Sequence, residues 1–267
     1  LKKVIIFLSA FLVAGAFASE IRVKHSGIEL GDKIFDETLW KDVPDVTVDL
    51  MKQPMVTPQP ESVTTSSIRV QAMDDGKIIA FRMRWKTDKP AEAGKLAEFS
   101  DAVAVQFAVN DWAETPIFMG GVGFPAHIFH WRAQYQRDVE KGKPEMKDIY
   151  PNMSVDMYPM EFKDSGSIKG LDEKKRELYS PAKIEGNPQA YAKTSAVDEI
   201  LSEGFSTSAL VENKGSKGHG VWAKGEWSVI ISRKLKNENG SILDPKKGSA
   251  VAFAVWQGAK QIGRAHV

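Results

Sequence analysis

Met119 offers the most specific chemistry in this sequence. It opens a glycine-rich bend, Met119-Gly-Gly-Val-Gly123, and its thioether is a soft ligand of the kind haem iron accepts. Gly120 and Gly121 allow a positive φ and let the backbone pass close to a large flat object. The chain then runs into His127-Ile-Phe-His-Trp-Arg-Ala-Gln-Tyr135. Its alternation puts His127, Phe129, Trp131, Ala133 and Tyr135 on one face and Ile128, His130, Arg132 and Gln134 on the other. A thioether beside a flexible bend, with Trp131 as aromatic wall, is what a haem pocket requires. The competing reading is packing: methionine is an adaptable filler of cores, and Trp85, Trp131, Trp227 and Trp256, all on predicted strands, are candidates for the interior.

Other chemistries lack their signatures. None of the five histidines (His25, His127, His130, His219, His266) has a zinc-binding spacing, and His127 and His130 face opposite sides of a strand. There is no nucleophile elbow, P-loop or dinucleotide fingerprint. Asp74-Asp75 falls in a turn, where carboxylates are solvated. The sequence contains no cysteine, which excludes disulfides, thiolate-held iron–sulfur clusters and covalent c-type haem. A redox cofactor must therefore be held non-covalently, by His, Met or Lys.

The first residues read as a targeting segment. Lys2-Lys3 is a basic start, an apolar run follows, and Ala16-Phe-Ala18 has the form of a signal-peptidase site. Residues 1–18 are thus expected to be a signal peptide and the product to be exported, periplasmic in a bacterium. Taking Lys2 and Lys3 from the 36 basic residues leaves 34 against 35 acidic ones. That balance is far from the basic footprint of a nucleic-acid binder.

The remainder, residues 19–267, reads as one all-β domain, an antiparallel β-sandwich with a long irregular insertion and one or two short helices. Residues 67–73 and 78–86 form a hairpin about Asp74-Asp-Gly-Lys77. Further strands are predicted at 101–107, 127–135, 220–222, 226–235 and 249–256. Three prolines within residues 54–60 mark a connector or sheet edge. Residues 137–205 break the pattern as a long insertion. Inside it, Ser195-Ala-Val-Asp198 resembles a capping box and predicts a helix with Val197, Ile200 and Leu201 on one face.

Six blocks stand in order along the chain: Asp74-Asp-Gly-Lys-Ile-Ile-Ala-Phe-Arg-Met-Arg-Trp85, Ser100-Asp-Ala-Val-Ala-Val-Gln-Phe107, Phe118-Met-Gly-Gly121, Pro125-Ala-His-Ile-Phe-His-Trp-Arg-Ala133, Gly225-Glu-Trp-Ser-Val-Ile-Ile-Ser-Arg-Lys-Leu235 and Val251-Ala-Phe-Ala-Val-Trp-Gln-Gly258. In that order they resemble the haem-binding γ subunits of type II DMSO-reductase-family molybdenum enzymes, the ethylbenzene-dehydrogenase-type haem domain. Tyr150-Pro-Asn-Met153 and Glu203-Gly-Phe-Ser-Thr207 are similar to the longer nitrate- and nitrite-type members.

The resemblance implies a β-sandwich holding one b-type haem between an axial methionine and an axial lysine. The methionine maps onto Met119, with Gly120 and Gly121 as a turn at the haem edge. The lysine is absent from its usual place. His266 falls there instead, ahead of a residue beyond Val267 and of Lys260 as further alternatives. The implied role is electron transfer without catalysis. Electrons would pass between the clusters of an iron–sulfur β subunit and an external carrier such as a c-type cytochrome, while a molybdopterin-bearing α subunit carries out the reaction. The alternative from another class is a carbohydrate-binding β-sandwich with exposed aromatic faces.

Overall fold

A computed structural model describes residues 2–3, 19–52, 65–92, 98–144, 146–152, 181–187, 190–244 and 247–258. Among them twelve strands form two sheets. The strands are β1 (Lys2–Lys3), β2 (Arg22–His25), β3 (Val46–Asp49), β4 (Ser67–Asp74), β5 (Ile78–Lys86), β6 (Ala102–Ala108), β7 (Ala126–Arg132), β8 (Val197–Ser202), β9 (Ala209–Val211), β10 (Lys217–Ala223), β11 (Glu226–Lys234) and β12 (Val251–Trp256). The first sheet runs β1-β2-β4-β5-β11-β10, with β3 also on β4; the second runs β12-β6-β7-β8-β9. Pairing is antiparallel except for β2 with β4. By contacts the chain forms two compact units. The first is Leu1–Arg137 with Ser195–Val267, which carries the sheets, and the second is Asp138–Thr194.

The core follows from alternation. Val70, Phe81, Met83, Trp85, Trp227, Val229 and Ile231 from the first sheet meet Val103, Val105, Phe107, Phe129, Trp131, Val197, Phe253 and Val255 from the second. Each such side chain contributes about 1.5–3 kcal/mol when fully buried. Trp131 is wholly buried and edge-on to Trp227, with ring centroids 5.2 Å apart. Gly218 and Gly220 of β10 make room for its indole, since a Cβ on Gly220 would stand 2.5 Å from it. Gln136 ties the pair together, accepting from Trp131 Nε1 and from the Gly220 amide and donating to the Gly220 carbonyl. The other face of the first sheet is covered by residues 30–43. There Leu30, Ile34, Trp40 and Val43 pack on Met73, Ala80 and Ile230.

Two expectations change. Residues 195–201 form no helix: β8 occupies Val197–Ser202, paired with β7 on one side and β9 on the other. Val197, Glu199 and Leu201 alternate inward, so sheet pairing overrides the capping-box pattern, while Ser195 Oγ merely accepts from the Val197 amide. The strand predicted over 127–135 stops at Arg132. A helix, α1 (Ala133–Lys141), follows it, its start fixed by the Gln134 amide donating to Ser100 Oγ. With β8 in the sheet, the segment between β7 and β8 is shorter than the insertion predicted over 137–205. Residues 4–18, where a signal peptide is expected, most of the proline-rich connector and residues 259–267 lie outside the described residues.

Charge is buried where the sheets meet. His127 on β7, Glu199 on β8 and Arg233 on β11 are each 2 % exposed or less. Arg233 donates to Ser241 Oγ and to the carbonyls of Lys234, Leu235 and Ser241, and lies over the rings of Phe107 and Phe129. Ser241 Oγ accepts from Arg233 and hydrogen-bonds His127 Nδ1, 2.7 Å away. His127 Nε2 stands 3.3 Å from the Glu199 carboxylate without hydrogen-bond alignment. Glu199 accepts from the Lys214 amide, Ser216 Oγ, Asn237 and Asn239.

Burial pushes the Glu199 carboxyl upward, but His127 and these donors outweigh it and hold it at about 2. Burial depresses His127, with Arg233 adding to the effect against Glu199, and lowers Arg233 to about 10 against the pull of Glu199. Both Glu199 and His127 bind protons more readily when unfolded, so their stabilisation is present at high pH and lost on acidification. It should decline first below about pH 6.5 as His127 titrates in the unfolded chain, then between about 4.5 and 2 through Glu199. Glu199→Gln should cost about 3–5 kcal/mol, the usual cost of breaking a buried charged pair, and flatten the acid limb below pH 4.5. Urea midpoints across pH check both; an unchanged acid limb in the variant would remove Glu199 from this account.

Candidate functional site

The outward face of the second sheet is unusually small and apolar. Ala102 and Ala104 on β6, Ala126 and Ile128 on β7, Ile200 on β8, and Ala252, Ala254 and Trp256 on β12 stand there, opposite in sense to the core residues beside them. A solvated sheet face alternates to polar side chains; this one sets small apolar residues on β6 and β12 beside Gln106, His130, Arg132, Asp198 and Ser202. Met119 packs on this face, half-buried against the cluster of Ala104, Ala126 and Ile128 together with Ile200, Ala254 and Trp256. The result is a flat apolar floor with a thioether above it.

The turn over residues 116–124 is what presents Met119. Its φ of 66° is left-handed, a conformation that costs an L-residue about 1–2 kcal/mol. Three hydrogen bonds meet that cost. The Met119 amide donates to Gln106 Oε1 at 3.1 Å, Gln106 Nε2 donates to the Pro116 carbonyl at 3.2 Å, and the Met119 carbonyl accepts from the Gly204 amide at 2.9 Å. The turn closes on itself through Gly120 N to Pro116 O and reciprocal bonds between Gly121 and Phe124.

Gly120 is required by its own chain. Its φ is +75°, and a Cβ would lie 2.7–2.8 Å from Phe124 O, Ala126 N and Ser202 O. Gly121 faces the Pro116 ring at 3.3 Å. Gly120 therefore lets the turn seat on β7 and β8, whatever ligand the bend faces. Gly258 behaves alike, since a Cβ there would stand 1.9 Å from Phe99 O while its amide donates to buried Asp101.

Trp131 does not join Met119. It is on the inner face, so the sheet itself lies between them. The aromatic residue on the methionine side is Trp256, whose ring stacks on His130 at 4.6 Å. His130 is 8 % exposed, and its Nε2 has no hydrogen-bond partner among the described residues. Burial above all, and then the Arg132 guanidinium, hold it neutral, far below its usual range. Arg132 approaches Nδ1 at 3.5 Å, which places the ring proton on Nε2 and makes that atom a donor, not a lone pair for a metal. His266 and Lys260 lie outside the described residues. Period-two alternation already set His130 apart from Trp131; the Gln106 contact joins separate elements and has no sequence signal.

A β-sandwich carrying an anchored methionine over a covered, alanine-lined sheet face is the class of protein that fold and site define. The chain belongs to the ethylbenzene dehydrogenase family, whose sequence model matches residues 37–267. It is similar to a protein assigned as the respiratory nitrate reductase heme subunit of Haloferax mediterranei, 22 % identical over 83 % of this chain and 59 % of that protein. It is also similar to the chlorate reductase subunit gamma of Ideonella dechloratans, 22 % identical over 84 % of this chain and 70 % of that one. The chain thus spans well under two thirds of the first relative's length.

The geometry separates two glycines of one turn. Gly120→Ala should lower stability by about 2–3 kcal/mol or more, because the added methyl meets backbone on three sides. Gly123→Ala, with a φ of +78° but open space, should cost only about 1 kcal/mol of backbone strain. Denaturant unfolding of the two variants reads the difference; equal costs would mean that the turn is not seated as described.

Proposed function

We propose that this protein is a non-catalytic electron-transfer subunit that holds one b-type haem non-covalently on the outer face of its five-stranded sheet. The observation that carries the reading is Met119, a thioether held in a strained backbone conformation, half-buried above a floor of alanines. A strained residue kept in place by its surroundings is a mark of a functional position. The residues fit the group: a cysteine-free chain must use a donor such as Met, and small side chains let a planar macrocycle lie close to a sheet. The two relatives whose names place them in reductase complexes, one of them as a heme subunit, support the same reading.

When bound, the haem supplies a one-electron iron couple, and a thioether ligand raises its potential. Met119 presents the sulfur, the Gln106 and Gly204 contacts fix its direction, and Ala104, Ile128, Ile200 and Trp256 exclude water from that side. The second donor to the iron would be His266, then a residue beyond Val267, then Lys260, in that order of preference. In the complete system we place this subunit in an exported complex, between an iron–sulfur subunit and an external carrier such as a c-type cytochrome. A molybdopterin subunit performs the chemistry there. A carbohydrate-binding role draws no support: all seven tryptophans are buried or half-buried, and none forms an exposed stacking platform.

Adding haem to the purified protein should give the Soret and α bands of a low-spin six-coordinate iron. Met119→Ala should still fold and should lose that low-spin spectrum. The reading fails if the unaltered protein takes up no haem, and Met119 loses its role if the alanine variant keeps the low-spin bands.

A further inference from the structure

We infer that Gln106 is the positioning residue for the Met119 thioether, deciding through the backbone of the turn how firmly the iron is ligated. This rests on the reading of Met119 as an axial ligand and adds to it the device that keeps the sulfur in place.

Gln106 stands on the outward face of β6, between Ala252 of β12 and Ile128 of β7 in the sheet register. Its primary amide spans the turn. Oε1 accepts from the Met119 amide and Nε2 donates to the Pro116 carbonyl, which also accepts from the Gly120 amide. Both halves of the amide group are therefore engaged with the four-residue bend that carries the methionine. This leaves no freedom to flip the amide, because exchanging O and N would set donor against donor at Met119.

Magnitudes show why this contact matters. The left-handed conformation at Met119 costs about 1–2 kcal/mol, and a neutral hydrogen bond contributes about 0.5–1.5 kcal/mol. The Gly204 bond alone is therefore at most comparable with the strain, whereas the three bonds of Gly204 and Gln106, about 1.5–4.5 kcal/mol together, match or outweigh it. Without Gln106 the bend can relax toward a right-handed conformation at Met119. Such a change at Cα swings the whole side chain, and the sulfur leaves its direction. Isosteric apolar replacement would keep the packing and lose the constraint; only an acceptor at this reach supplies it. Glutamate retains an oxygen for the Met119 amide and sacrifices the bond to Pro116, so it should restore much of the effect.

The test uses the full chain loaded with haem, comparing Gln106→Ala and Gln106→Glu with the unaltered protein and with Met119→Ala. The readouts are the low-spin fraction in the visible spectrum, the rate of haem loss to a scavenger, and the reduction potential, with far-ultraviolet circular dichroism confirming that each variant is folded at the assay temperature. We expect Gln106→Ala to show a mixed-spin spectrum, a lowered potential and haem loss faster by about tenfold, the equivalent of one to two neutral hydrogen bonds. Gln106→Glu should lie closer to the unaltered protein in low-spin fraction. A structural role alone would lower the melting temperature of Gln106→Ala and leave the spectrum and potential of its folded form unchanged, and that result overturns the proposal. Should Gln106→Ala not fold, Gln106→Asn, polar but too short to reach Met119, is read by the same criteria. If the unaltered protein binds no haem, the reading of the site has failed; if it binds haem through Met119 and the Gln106 variants match it, only the positioning role has failed.

Discussion

The second sheet sets bulk on its core face and small side chains on much of the other, and the seating of Met119 depends on that division. One face closes the sandwich and demands bulk, supplied by Val103, Val105, Phe107, Phe129, Trp131, Phe253 and Val255. The other face is also apolar but carries small side chains, chiefly alanine on β6 and β12. Large inward and small outward is a division of labour along each strand, possible because successive residues point to opposite sides. It gives the molecule a rigid, level surface whose stiffness comes from the packed core behind it. A methionine set on such a surface has a fixed distance to everything else on it.

The same alternation gives two histidines of one strand opposite circumstances. His127 faces the core and is absorbed into a charged cluster with Glu199, Arg233 and Ser241 that links both sheets. His130, three residues on, faces the floor beneath Met119 and stacks on Trp256. Both are depressed mainly by burial, yet the first joins a charged network through Ser241 and Glu199 while the second has Arg132 and the Trp256 ring for neighbours. Residue type and burial are alike; the direction of the side chain makes the difference.

Much of this was legible in the sequence. The hairpin of β4 and β5 and the strands β6, β7, β11 and β12 show clean alternation about recognisable turns, and the Met-Gly-Gly bend marked itself by composition. What was misread has physical causes. Val197, Ile200 and Leu201 satisfy a helical spacing, but Glu199 needed an interior partner that only distant residues supply, so tertiary contacts decided for a strand. Trp131 was grouped with Met119 because the two are near in sequence, although a single change of face separates them in space. Gly120 has in addition a packing cause, backbone of Phe124, Ala126 and Ser202 within reach of any Cβ, contacts that no local pattern encodes. Gln106 was invisible for the same reason: its role depends on a bend that returns to it from ten residues away.

The pairing of β7 with β8 has a consequence for how such a protein can change over generations. The two strands are hydrogen-bonded neighbours, and the Arg132 amide still meets the Ala196 carbonyl beyond their last paired residues. The unit Asp138–Thr194 is thus entered and left at a single narrow stem. Closing a longer loop at such a stem grows costlier only with the logarithm of its length, about 0.6 kcal/mol for each doubling. A change of length in that segment therefore adds little loop-closure cost. The methionine turn differs, since Gly120 sits against the backbone of β7 and β8.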